Sequence, residues 1–138
     1  MPVFDPEQTL GPPRRGKGEK MEKVSGAVFH GLFSLMDGVT ESEFLPAFDA
    51  FYRHLVERGY AQSYRILRRH ALDGFGNTLP AFEYHAGVEF PSLAEDQACY
   101  EYVQRNEEPV RSLHRAMNSK VRRGSADFFL TVRVGGSK

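Results

Sequence analysis

From Pro80 to Pro91 the chain reads P-A-F-E-Y-H-A-G-V-E-F-P. Phe82, Tyr84, Ala86, Val88 and Phe90 fall on one side of a period-two alternation, and Glu83, His85, Gly87 and Glu89 on the other. That period predicts a central strand closed by its two prolines, with one side for a core and one side carrying ionisable groups. Val28–Met36 predicts a first strand. Phe29, Gly31, Phe33 and Leu35 form its apolar side, and Val28, His30, Leu32, Ser34 and Met36 its mixed side.

A helical pattern begins after Asp37-Gly38. Thr40 and Glu43 have capping-box spacing, and Val39 is placed to staple onto Phe44. Phe44, Leu45, Phe48, Phe51, Tyr52, Leu55 and Val56 make one apolar stripe, with Pro46 in the second turn and Gly59 as a left-handed stop. Tyr60–Ala71 predicts a second strand. Tyr64 and Ile66 oppose Arg65 and Arg69, with Leu67 on the arginine side, so the pattern leaves open which face packs inward. Such mixed character suits an edge strand. The Gly-rich loop L-D-G-F-G-N-T-L-P follows, with Phe75 at its tip.

Ser92 and Glu95 repeat the capping-box spacing before a helix from Leu93 to about Arg105, expected to bury Leu93, Ala98, Cys99, Tyr102 and Val103. Asn106-Glu107-Glu108-Pro109 interrupts it. A further helix carries Val110, Leu113, His114, Met117 and Val121 on one face, with Gly124 expected as its cap. Ala126–Val134 predicts the last strand.

The order βα ββ αβ is the split-βαβ, ferredoxin-like unit of the α+β class. Right-handed crossovers place the helices on one face of a four-stranded antiparallel sheet with strand order 4-1-3-2. The domain is expected over residues 24–135. Residues 1–23 are rich in Pro, Gly and basic groups without periodicity, and predict a disordered, solvated tail; residues 136–138 predict a frayed end. Met21 is a second candidate start, because Gly18-Glu19-Lys20 can be encoded by purine-rich triplets of the kind that bind a bacterial ribosome.

Composition narrows the partners. Eighteen basic residues balance eighteen acidic ones among 138, so no global field draws the chain to nucleic acid or anionic lipid. A single cysteine, Cys99, excludes a disulfide framework and fits a reducing, cytoplasmic setting. No apolar run approaches the roughly 20 residues that span a bilayer. The helix-free face of the sheet, with Leu32, Met36 and one side of the last strand, is too apolar for water. RNA-recognition domains lay RNA on this face, but Glu83 and Glu89 oppose phosphate there and no Lys or Arg lies on that strand. A second copy is the better cover.

The segments R-R-H-A-L-D-G-F-G, F-E-Y-H and L-H-R-A-M-N-S-K-V-R resemble an uncharacterised bacterial branch of the dimeric α+β-barrel superfamily, and the resemblance runs from about Val28 to Val134. It implies a homodimer joined through the sheet face. The superfamily includes cofactor-free oxygenases, isomerases, dehalogenating lyases, haem-binding members and proteins without known activity, so it implies no particular reaction.

Candidate chemistry sits on the polar side of the central strand. His85 is the candidate acid or base, with Glu83 or Glu89 to orient it and His30 joining from the first strand. Tyr64, Arg68 and Phe75 are candidate substrate-binding residues beside the Gly-rich loop. No H-x-H or H-E-x-x-H spacing supports a metal, and no cofactor is implied. The opposing reading is a non-catalytic ligand-binding or structural dimer, whose polar groups satisfy one another at the interface.

Overall fold

The computed structural model describes residues 25–71, 79 and 81–136; the expected tail and Phe75 lie outside the described residues. The elements are β1 (Ser25–Phe33), α1 (Glu41–Glu57), β2 (Ser63–Arg68), β3 (Tyr84–Ser92), α2 (Leu93–Gln104), α3 (Val110–Asn118) and β4 (Asp127–Thr131). The four strands form one antiparallel sheet in the order β2-β3-β1-β4, the expected order read from its other edge.

Register assigns the faces. Phe29 lies opposite Val88 and Leu130, and Tyr64 opposite Val88, so these side chains share the face that the helices cover. Phe44, Phe48, Phe51, Tyr52 and Leu55 of α1 are buried against it. The Phe44 ring lies 5.4 Å from Phe33 and 6.4 Å from Tyr84. Burying such aromatics removes a large apolar area from water, and their tilted (Phe33) and stacked (Tyr84) ring contacts add to it. Thr40 and Glu43 close the capping box around α1, satisfying donors that the first turn leaves open. Gly59 adopts φ +85°, the left-handed stop.

Several boundaries differ from the sequence expectation. β1 ends at Phe33; Leu35 then makes an isolated bridge to Val121, and the Met36 amide donates to the Lys120 carbonyl. β2 starts only at Ser63 because the Tyr60 and Ala61 amides still donate to the Leu55 carbonyl at the end of α1. β4 is shorter than expected, five residues from Asp127 to Thr131. Gly124 does not cap α3, which ends at Asn118 with Ser119 as its cap; it takes φ +81° in the turn toward β4. On α2 the buried set includes Asp96, 1% exposed, rather than Ala98.

Pro91 lies inside β3 instead of closing it. The Glu89 carbonyl accepts from Gln62, so Glu89 and Pro91 direct their backbone groups toward β2. β2 pairs only from Ser63 onward, so no partner there calls for the N–H that proline lacks. His114, on the buried stripe of α3, is 2% exposed and stacks on Phe51 at 4.8 Å, as a packed histidine.

Candidate functional site

The other face of the sheet carries Val28, His30 and Leu32 from β1, His85, Gly87 and Glu89 from β3, Ser63, Arg65 and Leu67 from β2, and Asp127, Phe129 and Thr131 from β4. No described helix packs on it. Leu67 and Phe129 remain 48% and 44% exposed.

His30 sits near the centre, opposite Gly87 on one neighbour and Phe129 on the other. Its Nδ1 lies 2.9 Å from His85 Nε2, and its Nε2 lies 2.9 Å from Thr131 Oγ1. Its ring stacks on Phe129 with centroids 4.4 Å apart. Only one proton fits between the two facing nitrogens. Either Thr131 donates to His30 and His30 to His85, or the chain of donation runs the other way. Sharing one proton position, the pair accommodates a single positive charge without breaking its hydrogen bond.

Both imidazoles are held below their ordinary pKa. Burial is the first cause for each. For His30 the neighbouring imidazole and then the Arg65 guanidinium add to it; for His85 the Arg65 charge does. The neutral forms are favoured, and protonation of either ring is resisted. Burial of the open face against a second copy would strengthen the same effect.

Arg65 is the residue that sequence reasoning passed over, reading it as an edge-strand charge. Its guanidinium lies over Gly87, with Cζ 3.5 Å from where a Cβ would stand. Its Nη1 is 3.9 Å from Glu89, whose carboxylate also accepts from Ser63 Oγ at 2.5 Å. Gly87 was the available signal: a glycine inside a central strand marks a close approach by another group. Thr131 and Phe129 were hidden because the face of the last strand could not be fixed without its register.

The other expected site residues separate. Glu83 does not orient His85; its Oε1 accepts from the Leu35 amide at 3.0 Å, supporting the chain where β1 ends. The side chain hydrogen-bonded to His85 is instead that of His30. Glu89 stays on the open face but is engaged by Ser63 and Arg65. Tyr64 and Arg68 point to the helix side. Tyr64 donates to Asp49, and Arg68 binds Glu41 at 2.9 Å, joined there by the Tyr84 hydroxyl at 3.0 Å. Neither stands beside the histidine pair. Tyr64 instead lines a groove of ≈ 660 Å³ between α1 and β2, with Leu45, Pro46 and Asp49. Among the described residues, no three His, Cys, Asp or Glu side chains converge as a metal site requires.

The sequence pattern of a family described as "Family of unknown function (DUF6614)" matches residues 27–132. No functionally curated protein matches the chain. Solved structures of similar fold include the following three. A hypothetical protein from Arabidopsis thaliana aligns with a TM-score of 0.55 at 11% identity, over 84% of this chain and 96% of that one. A protein from Thermobifida fusca, described as dimeric, ferredoxin-like and of unknown function, aligns with a TM-score of 0.53 at 12% identity, over 80% and 93%. A methylated protein of Rhodopseudomonas palustris aligns with a TM-score of 0.52 at 16% identity, over 84% and 86%. Among the described residues, no helix is long and apolar enough to cross a membrane.

Proposed function

The chain belongs to this family of unknown function, and from that premise we propose that it is a homodimeric α+β barrel whose joined sheet faces enclose an acid–base site for a small molecule. The observation that carries the reading is the His30–His85 hydrogen bond, set in the middle of the face that the helices leave uncovered. Leu67 and Phe129 supply exposed apolar area beside it. The dimeric description of the Thermobifida fusca protein, which has the same fold, supports a second copy as the cover. An isologous pair buries those groups twice with one set of contacts. His85 then serves as base or acid, and His30, held by Thr131, orients it and carries its proton away.

The non-catalytic alternative is favoured by one observation: His30, His85 and Thr131 satisfy one another without any ligand. Sedimentation at micromolar concentration tests the shared premise. A species of twice the 15.6 kDa chain mass is expected, and Phe129→Asp should reduce it to the monomer. A wild-type monomer overturns both readings. Deuterium exchange into a bound carbon acid, lost on His85→Gln, separates catalysis from mere binding.

A further inference from the structure

We propose that the two free edges of the sheet pair across copies: β2 of one chain takes β4 of a second as an antiparallel neighbour, and Leu130 and Val132 of that second copy lie in the groove between α1 and β2. This deepens the dimer reading above and rests on it. β2 and β4 are the outer strands of the order β2-β3-β1-β4, and within the chain they run antiparallel to one another. The Arg69 amide donates to the Glu83 carbonyl. By the alternation of an antiparallel ladder, Leu67, Arg65 and Ser63 also turn their backbone groups to β3, so Tyr64, Ile66 and Arg68 present theirs at the free edge. Carried through β3 and β1, the same alternation leaves Phe128 and Leu130, and Val132 just beyond, presenting theirs at the edge of β4. Such rows of open N–H and C=O groups are templates for a further strand.

Each edge offers what the other lacks. Beside β2 runs the groove of ≈ 660 Å³, with Leu45, Pro46, Phe48 and Ile66 in its lining. Leu130 and Val132 are turned to the helix side of the sheet, yet each is 39% exposed. β4 pairs with β1 only as far as Thr131; Ala27 and Gly26 would come next, and Gly26 leaves the extended range at φ +68°. The strand pattern of the sequence nevertheless runs on to Val134, so β4 has length for another partner. Charge agrees: β2 carries Arg65 and Arg68 and leads into Arg69, whereas β4 opens on Asp127. Setting Ile66 against Leu130 sets Tyr64 against Val132, Leu67 against Phe129 and Arg69 against Asp127, apolar on apolar and base on acid. Pairing β2 with β2 would gather the arginines of both copies, and pairing β4 with β4 would leave the groove empty. A two-fold axis parallel to the strands, between two open faces, lays β4 of each copy along β2 of the other, antiparallel. Both edges close at once as the sheets curl.

The test is disulfide cross-linking of the full chain carrying Ser63→Cys and Arg133→Cys, which the same register sets opposite one another. Within one chain these positions stand three strand spacings, about 14 Å, apart, so a bridge between them joins two copies. Cys99 is buried. Mild oxidation should give a covalent dimer whose peptide map shows the 63–133 link, while each single variant stays unlinked. Links of 63 to 63 or of 133 to 133 overturn the proposal. Hydrogen exchange of the wild-type chain reads the same edges without substitution. The amides of Tyr64, Ile66, Leu130 and Val132 should exchange about tenfold or more slowly in the dimer than after dilution to monomer, as expected of amides drawn into a ladder. Unchanged exchange in the dimer overturns the edge pairing even where the cysteine variant fails to fold. Sedimentation of the same samples keeps the two readings apart. A dimer with freely exchanging edges sinks this pairing and leaves the joined faces standing; a wild-type monomer sinks both.

Discussion

His30 and His85 share one proton position, and each resists protonation in the folded chain. The consequence for stability has a definite sign. The unfolded chain takes up protons on both imidazoles near their ordinary value of about 6.5, while the folded chain does so only at lower pH. Stability present above that value is therefore lost as the pH falls through the lowered pKa values. Proton NMR titration should place both imidazoles below the free value, and His85→Leu should flatten the loss of thermal stability on acidification. Coincident titration at the free value would remove the basis for a base at this site. Histidine type and period-two spacing put His85 and Glu89 on one side of one strand. The partner of His85 was legible only as a possibility, because His30 reaches it diagonally across the ladder, and that diagonal depends on register. Glu83 misled for a related reason. It has the right parity, but it lies just before β3 begins, where its carboxylate satisfies the Leu35 amide.

Among the elements, α1 was the most readable, since cap, stripe and stop all agree. Phe48 is 3% exposed and packs on Tyr52 with ring centroids 4.8 Å apart. Phe48→Ala should cost about 3–5 kcal/mol in chemical denaturation, as for other buried aromatics. Thr40→Ala should cost about 1 kcal/mol, because it opens the capping box and leaves an amide of the first turn unsatisfied. β2 was the least readable. Its register puts Tyr64 and Ile66 inward and Arg65 and Leu67 outward. Leu67, an apolar residue on the charged side, obscured that split in the sequence, and it is explained once the outer face itself needs a cover. The interrupted second helix was legible too, since Pro109 separates α2 from α3.

For the whole molecule, the ferredoxin-like arrangement followed from element order and crossover handedness, and the family match spans nearly all of the described domain. The dimer expected through the open face ties assembly to the histidines. Protonating the pair puts charge on a face that must be desolvated, so acidification should dissociate the dimer before the fold melts. Sedimentation across about pH 8 to about pH 5, spanning imidazole titration, should show the monomer emerge at the acid end. The His85→Leu variant should hold its dimer to lower pH. Dissociation at the same pH in both proteins would detach the histidines from assembly.

The pairing of β1 with β4 joins nearly the two ends of the described chain, Val28 with Thr131 and Leu32 with Asp127. Such a long closure carries a high entropic cost before its contacts are rewarded, so β4 should dock after the transition state for folding. Phe128, which stacks on Phe29 at 5.4 Å, anchors that late step. Phe128→Ala should therefore speed unfolding in stopped-flow measurements and leave the folding rate nearly unchanged. It follows that Thr131 and Phe129 reach His30 only at the end of folding. On this order a ribosome-bound chain that stops short of β4 would hold both histidines without Thr131 and Phe129, and the contacts around His30 would be completed among the last steps of folding.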